Sequence, residues 1–265
     1  AAPACGRRGG SRQHTVQNRH QRGGLIALHR MARVGHDVRA LKTGGTGGER
    51  GGFALAQSLG HRIIAPSPSL FTFNVQDARL EGLAGLAVQD AVLRLPEFGL
   101  EQRGPVLVTH WGLSGPAVLK LSAWGARDLH HAGYRTLLRV NWNGADSVDS
   151  LYQNLLHYKD SNPRQTASAH VPAGLLPVRL WRRLTAAVGI RAGMAWNECP
   201  NAQIYALASQ VARGEFAIVG KGAFKEEFVT SGGVDLDEVN FKSMESRVAP
   251  GLHLAGEVLD IDGVT

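Results

Sequence analysis

The sequence predicts an α/β protein in which a β-rich and partly helical segment interrupts a smaller domain. Three observations carry that prediction. Between residues 41 and 65, a glycine-dense run leads into a short helical pattern and then a strand-like run. Between residues 70 and 109, four short apolar runs alternate with turn residues, and amphipathic helical patterns follow them. Near its end the chain carries another apolar run, residues 252–255, that stops at Gly256 beside a cluster of acids.

Length and composition bound the possibilities. The 265 residues can bury a sizeable core as one large domain or two small ones. No run of about eighteen apolar residues occurs, so no transmembrane helix is expected, and no charged-then-apolar signal segment opens the chain. The two cysteines, Cys5 and Cys199, make no disulfide framework and fit a reducing cytosol, so a cytoplasmic protein is expected. The formal charge is +7, yet residues 1–40 alone hold eight arginines against one acid, Asp37. The remaining 225 residues balance 21 basic groups against 21 acidic ones. That distribution places the basic character in a tail and argues against a nucleic-acid-binding face on the body. Residues 1–40 have little apolar periodicity and read as disordered; a nucleic-acid-binding arm is the alternative.

Taken in order, residues 41–52 are the most glycine-rich part of the chain. A helical pattern over 53–59 follows, with Gly60 as its C-terminal cap. Residues 61–65 read as a strand stopped by Pro66 and Pro68. A glycine-rich loop at a helix N-terminus suits an anion, but for a bare glycine run a flexible linker is the better reading. The four apolar runs at 70–73, 83–88, 91–95 and 105–109 predict a small antiparallel sheet or barrel. Pro116 then opens a helix running to Ala126, with Ser114 as its cap. His110 and Ser114 suggest nucleophilic catalysis, but Pro116 replaces the last glycine of a nucleophile elbow and no third member accompanies them. A helix cap with a neighbouring histidine is the better reading.

Residues 134–142 read as a strand, and 148–157, 175–188 and 202–213 as helices. In the second of these helices Arg179, Arg182 and Arg183 fall away from the apolar stripe. A solvated face explains them, and a contact to a 2′-phosphate is the alternative. Residues 216–222 miss the P-loop spacing: five residues separate Gly214 from Gly220, and Gly222 stands where Ser or Thr should bind magnesium. This run reads as a strand returning to the first domain. No metal site emerges, because Cys199 has no C-x-x-C partner and the eleven histidines lack ligand spacing.

Phe228 to Val234 is a β-type run broken by Gly232 and Gly233. At the last apolar run, Gly256 leaves room for a ligand against the backbone. The carboxylates of Glu257, Asp260 and Asp262 only accept hydrogen bonds when ionised, so they suit a hydroxyl-rich ligand. A solvated turn or a fragment of a calcium loop accounts for the same acids.

These segments, in this order, resemble the BaiN-like (YhiN-type) flavoproteins, a family of NAD(P)/FAD-dependent oxidoreductases. Residues 42–47 are similar to the family's K-T-G-S-T-G-D-G loop, with Gly45 in place of serine and residues 48–51 in place of the D-G pair. Residues 56–61 match A-x-x-L-G-H, and 109–117 resemble T-H-x-G-L-S-G-P-A. Residues 229–234 match V-T-x-G-G-V, and 243–246 are similar to T-M-E-S with Ser243 replacing threonine. Residues 251–263 match G-L-x-x-A-G-E-V-L-D-x-D-G. The resemblance covers 41–265 and is weakest across 128–200.

It implies a discontinuous FAD-binding Rossmann-like domain built from 41–68 and 216–265, around an inserted β-barrel-like and helical region at 69–215. It implies FAD as cofactor and a hydride passed to or from a small-molecule substrate, with NAD(P)H as electron donor. Glu257 would hold a ribityl or ribose hydroxyl. Gly256, Asp260, Asp262 and Gly263 would shape the pocket, and Thr43, Gly44, Thr46, Gly47, Gly232, Gly233 and Val234 would offer backbone contacts. No catalytic acid or base is assigned, and His110 would line the substrate side. The family's dinucleotide fingerprint and G-G-R-C-N-type segment are missing from this sequence. A fragment that binds FAD weakly is therefore expected, with a non-catalytic flavin- or nucleotide-binding protein as the alternative.

Overall fold

The four apolar runs enter a barrel as three strands: the first reaches its strand only at Phe73, the second and third join in one strand over 87–95, and the fourth ends the strand over 100–108. Alternating residues of these strands can face one enclosed core. A computed structural model describes residues 39–41, 51–144, 147–172, 174–222 and 229–261. The residues divide into two units: one holds 39–41, 51–64 and 234–259, and the other holds 65–233 and 260–261.

In the larger unit, six strands close in the order β3-β6-β5-β4-β7-β8. They are β3 (Phe73–Val75), β4 (Ala87–Leu95), β5 (Leu100–Val108), β6 (Gly112–Ser114), β7 (Thr136–Asn141) and β8 (Gly214–Lys221). All neighbours are antiparallel. Their buried residues include Phe73, Leu93, Leu95, Val106, Val108, Leu113, Leu138, Val140 and Phe216. A β-bulge between Val88 and Ala91 breaks the alternation of β4 and increases its bend. Strand β8 corrects the sequence reading of 216–222. It does not return to the glycine-rich region; it closes the barrel by pairing with β3 and β7.

Helix α2 (Pro116–Trp124) starts with Pro116 in its first turn, as its fixed φ favours. Its cap is Gly115, with no side-chain cap bond, so Ser114 does not cap it. Ser114 is instead the last residue of β6, paired with Leu107. The helix ends at Trp124, and α3 (Ala126–His131) follows it. A second layer comprises α4 (Val148–Ser161), α5 (Val178–Ala187) and α6 (Asn201–Arg213). Ser147 caps α4 by accepting from the Ser150 N–H at 3.1 Å. Trp142, Trp181 and Trp196 are fully buried, and the Trp181 indole N–H donates to the Ala167 carbonyl at 2.8 Å.

In the smaller unit, β1 (Arg39–Leu41) pairs in parallel with β12 (Leu252–Leu254). The sheet continues through β11 (Glu245–Ser246) and β10 (Val239–Asn240), both antiparallel. Arg39 and Ala40, within the stretch read as a disordered tail, thus belong to a strand. Helix α1 (Gly51–Ser58) ends as expected at Gly60. The His61 N–H returns to the Ala56 carbonyl and the Gly60 N–H to that of Gln57, the pattern of a Schellman cap. Ala56, Val234, Val239, Leu252, Leu254, Val258 and Leu259 form the core of this unit.

Buried His61 ties the unit together. Its Nδ1 lies 2.8 Å from the Glu238 carboxylate, and its Nε2 lies 3.0 Å from the Ser246 hydroxyl. Ser246 Oγ already accepts from the N–H groups of Val248 and Ala249. Its own hydrogen is therefore left for Nε2, which assigns the imidazole proton to Nδ1.

Strands β2 (Ile63–Ser69) and β9 (Val229–Val234) pair as a two-stranded sheet. Here the prolines do not stop the strand, since β2 runs through both Pro66 and Pro68. Two positions of the same parity lose their N–H groups on a single edge, and a two-stranded sheet has an edge to spare. No described helix is long and apolar enough to cross a membrane.

Candidate functional site

In the smaller unit, the expected site residues gather at the C-terminal end of β12. Chain direction is shared with β1, so this end has the geometry in which α/β sheets bind ligands. The residues from Gly256 to Val258 form a single 3₁₀ turn there. Gly256 has φ +77°, a conformation that L side chains rarely adopt, and a Cβ built on it would meet nothing within 4 Å among the described residues. The backbone is therefore approachable. Glu257, half-buried beside it, makes no hydrogen bond or ion pair among the described residues. Val234 is buried next to this turn through a bridge to Leu259. A hydroxyl-rich cofactor fits these features, because an open backbone and an unused acceptor lie side by side.

The other expected residues are placed differently. Asp260, in the larger unit, is ion-paired with Arg127. Gly232 has φ +108°, and a Cβ there would lie 2.6 Å from the Ala65 carbonyl oxygen. The space its missing side chain leaves is thus taken by β2, and both Gly232 and Gly233 are buried. Thr43, Gly44, Thr46, Gly47, Asp262 and Gly263 lie outside the described residues.

The larger unit holds a cavity of about 900 Å³ at the barrel mouth. The hairpin joining β5 to β6 forms one wall. The Thr109 N–H donates to the Gly112 carbonyl at 2.8 Å, and Thr109 Oγ1 accepts from the Gly112 N–H at 3.1 Å. This pair of hydrogen bonds across the turn presents His110 and Trp111 at its tip, both exposed and both lining the cavity. Gly112 must be glycine: a Cβ there would sit 2.2 Å from the Phe73 carbonyl oxygen.

The opposite wall is the segment 74–84. Asn74 donates through Nδ2 to the Lys221 carbonyl at 2.9 Å, while its Oδ1 is buried without a partner among the described residues. Arg79 fixes the segment from below. It pairs with Asp77 at 2.6 Å, bonds Gln210 and the Glu215 carbonyl, and stacks 3.9 Å from the Phe216 ring centroid. Burial pushes the Asp77 carboxyl upward, but its hydrogen bonds from Arg79 outweigh this and hold it below the usual carboxylate range.

His110 and Ser114 form no hydrogen bond with each other among the described residues, so no triad assembles. No group of metal-ligating side chains occurs among those residues either. Sequence reasoning missed Asn74, Asp77 and Trp111. The one local signal for Asn74 is a polar amide inside the apolar run that follows Phe71.

Comparison with known proteins agrees with this architecture. The HI0933-like protein barrel and H2TH domain matches residues 67–229. Ribosomal RNA dihydrouridine synthase of Escherichia coli is 30% identical over 239 residues, covering 87% of this chain and 56% of that protein. The Haemophilus influenzae protein of the same name is 28% identical over 239 residues, covering 84% and 53%. The 3-dehydro-bile acid delta(4,6)-reductase of Clostridium scindens is 28% identical over 220 residues, covering 82% and 53%. The chain thus spans about half the length of the curated relatives it matches. Because the domain match takes in every barrel strand and all three helices of the second layer, the chain belongs to the HI0933-like family.

Proposed function

We propose that this chain contributes a cofactor edge and a substrate cavity to an FAD-dependent oxidoreductase that acts on an unsaturated bond of its substrate. The observation that carries the proposal is the strand end at Gly256, where, among the described residues, an open backbone meets a carboxylate of Glu257 without a partner. In this reading Glu257 accepts hydrogen bonds from ribose or ribityl hydroxyls, and Gly256 lets the chain approach the cofactor closely. The cofactor, when bound, supplies the hydride chemistry, with NAD(P)H as the source of electrons. The barrel-mouth cavity admits the substrate and limits water around it. The names of the relatives support a reductive reaction, since one is a reductase and two are dihydrouridine synthases. Asn74, Gln76, Asp77, Glu81 and Thr109 line the cavity. These polar groups suit a substrate bearing amide or carbonyl groups better than an apolar one.

The test is titration of the chain with FAD, followed by quenching of flavin fluorescence. Saturable binding, weakened about tenfold in Glu257→Ala, is expected from the loss of one charged hydrogen bond. Quenching that does not saturate, or that is equal in the variant, would remove Glu257 from the site. Adding NADH or NADPH to the loaded chain separates the two classes of protein. Loss of visible flavin absorbance indicates an oxidoreductase, and an unchanged spectrum indicates a binding protein.

A further inference from the structure

Reduction of a double bond adds a hydride to one atom and a proton to the other, so the reaction gains from an acid beside the substrate. Four side chains that line the barrel-mouth cavity are candidates: Asp77, Glu81, Thr109 and His110. The amides and the indole there donate hydrogen bonds but do not give up protons. Asp77 is committed elsewhere, because hydrogen bonds from Arg79 outweigh its burial and hold it ionised. Glu81 is exposed, and as a carboxylate it only accepts hydrogen bonds. Thr109 Oγ1 accepts from the Gly112 N–H at 3.1 Å, and an aliphatic hydroxyl is a very weak acid. That leaves His110, the residue type whose proton moves between about pH 5 and 8.

The fold fixes the backbone around His110 and leaves its ring free. Before it, the Thr109 N–H donates to the Gly112 carbonyl at 2.8 Å. After it, the Trp111 carbonyl accepts from the Val75 N–H at 3.0 Å, which ties the hairpin tip to β3. At the base of the hairpin, Val108 donates to the Leu86 carbonyl and accepts from the Gly85 N–H, each at 2.9 Å. The imidazole itself makes no hydrogen bond or ion pair among the described residues. Its ring neighbour is Trp111, with centroids 6.5 Å apart. The other charges at the cavity are Glu81, the Asp77–Arg79 pair and two arginines at its rim. Arg179 donates to the Gly82 carbonyl, and an Nη atom of Arg183 lies 3.3 Å from where a Cβ on Gly82 would be. None of these groups is a histidine, so a pH dependence in the histidine range belongs to His110.

We propose that His110 is the catalytic acid of this cavity, handing its imidazolium proton to the substrate atom that does not receive the hydride. The step rests on the flavin reading above. One atom of the double bond takes a hydride, with its electron pair, from the reduced flavin. The π pair moves to the other atom and bonds the proton of the His110 imidazolium. The imidazole N–H bond breaks, and the neutral ring regains a proton from water, to which the hairpin tip is open. A neutral imidazole cannot protonate the substrate in this way, so the rate falls as pH rises through the titration of His110.

The experiment has two arms, both on the full chain, with circular dichroism confirming that each variant is folded. The first uses no flavin. The probe is 2,4-dinitrophenolate, a planar oxyanion that stands for the negative charge developing before the proton arrives. Titration followed by its visible absorbance should show binding that tightens as pH falls through the histidine range. His110→Gln is expected to weaken binding about tenfold at the acid end and to abolish the pH dependence, whereas His110→Lys restores the affinity. No binding, or binding that His110→Gln leaves unchanged, overturns the proposal. The second arm loads the chain with FAD, reduces it with dithionite and mixes it anaerobically with 2-cyclohexenone. Flavin reoxidation should be about 100-fold slower in His110→Gln and should lose its decline with rising pH. Reoxidation by oxygen, which needs no proton delivered to carbon, should be equal in both chains. Equal rates with the enone overturn the role of His110. A native chain that binds no FAD, or that the enone does not reoxidise, overturns the flavin reading and the proton step with it. The first arm, by contrast, fails only where His110 does not face the bound anion.

Discussion

Two glycines, each inside a motif that resembles the same family, behave in opposite ways. At Gly112 the absent side chain is replaced by protein, since the Phe73 and Val75 backbone occupies the space a Cβ would need. At Gly256 the same absence opens onto nothing within 4 Å among the described residues. A motif glycine in a sequence announces that a side chain is not tolerated. Only the structure says whether the protein or a ligand is the reason. Gly232 belongs with Gly112, for the Ala65 carbonyl already fills its space.

Substitution should separate these cases. Gly112→Ala is expected to have the largest effect, about 3 kcal/mol or more of lost stability, because the clash is with backbone that cannot move without opening the barrel. Urea denaturation measures it, and a loss below about 1 kcal/mol would show that the turn yields. Gly256→Ala should cost only about 1 kcal/mol, the strain of a left-handed residue, while reducing FAD affinity more than tenfold. Equal FAD binding in that variant would mean that the open space is not used. Glu257→Gln should weaken FAD less than Glu257→Ala, with an unchanged denaturation midpoint, because the amide keeps one acceptor.

The smallest effect concerns acid stability at the cavity floor. The carboxyl of Asp77 is held below its ordinary value of 3.8 in the folded protein. Its contribution is therefore complete above that value and is lost as pH falls through the lower folded-state value. Thermal melts of the native chain and Asp77→Asn should differ by a constant amount near neutral pH and converge in strong acid. Curves separated by the same amount at every pH would show that the Asp77 charge contributes nothing.

Local features of the fold were legible because local physics sets them. Pro116 opens a helix, Gly60 ends one, and the apolar runs enter a barrel, although those at 83–88 and 91–95 share a single strand. What was missed depends on distant residues. Nothing within 216–222 says that its partner lies at Phe73, 148 positions away from Lys221. Pro66 and Pro68 look like stops unless it is known that β2 has only one neighbour. Ser114 has the chemistry of a cap, yet barrel pairing with Leu107 claims its backbone first. At the candidate site, Gly256 and Glu257 could be named from sequence alone. Asn74 and Trp111 could not, since they meet only when β3 and the β5–β6 hairpin close around one space.

The His61 hydrogen bonds impose an order on synthesis. Glu238, its partner, is 177 residues downstream. At about 5–20 residues per second a ribosome needs roughly ten to thirty-five seconds to cover that distance. Throughout that interval the barrel strands and the helices of the second layer are being completed, while α1 and His61 wait without the sheet they will pack against. The smaller unit is thus the last to assemble although part of it is made early. Its exposed apolar residues, Ala56 and Leu59 among them, are where a chaperone or a protease would find the nascent chain.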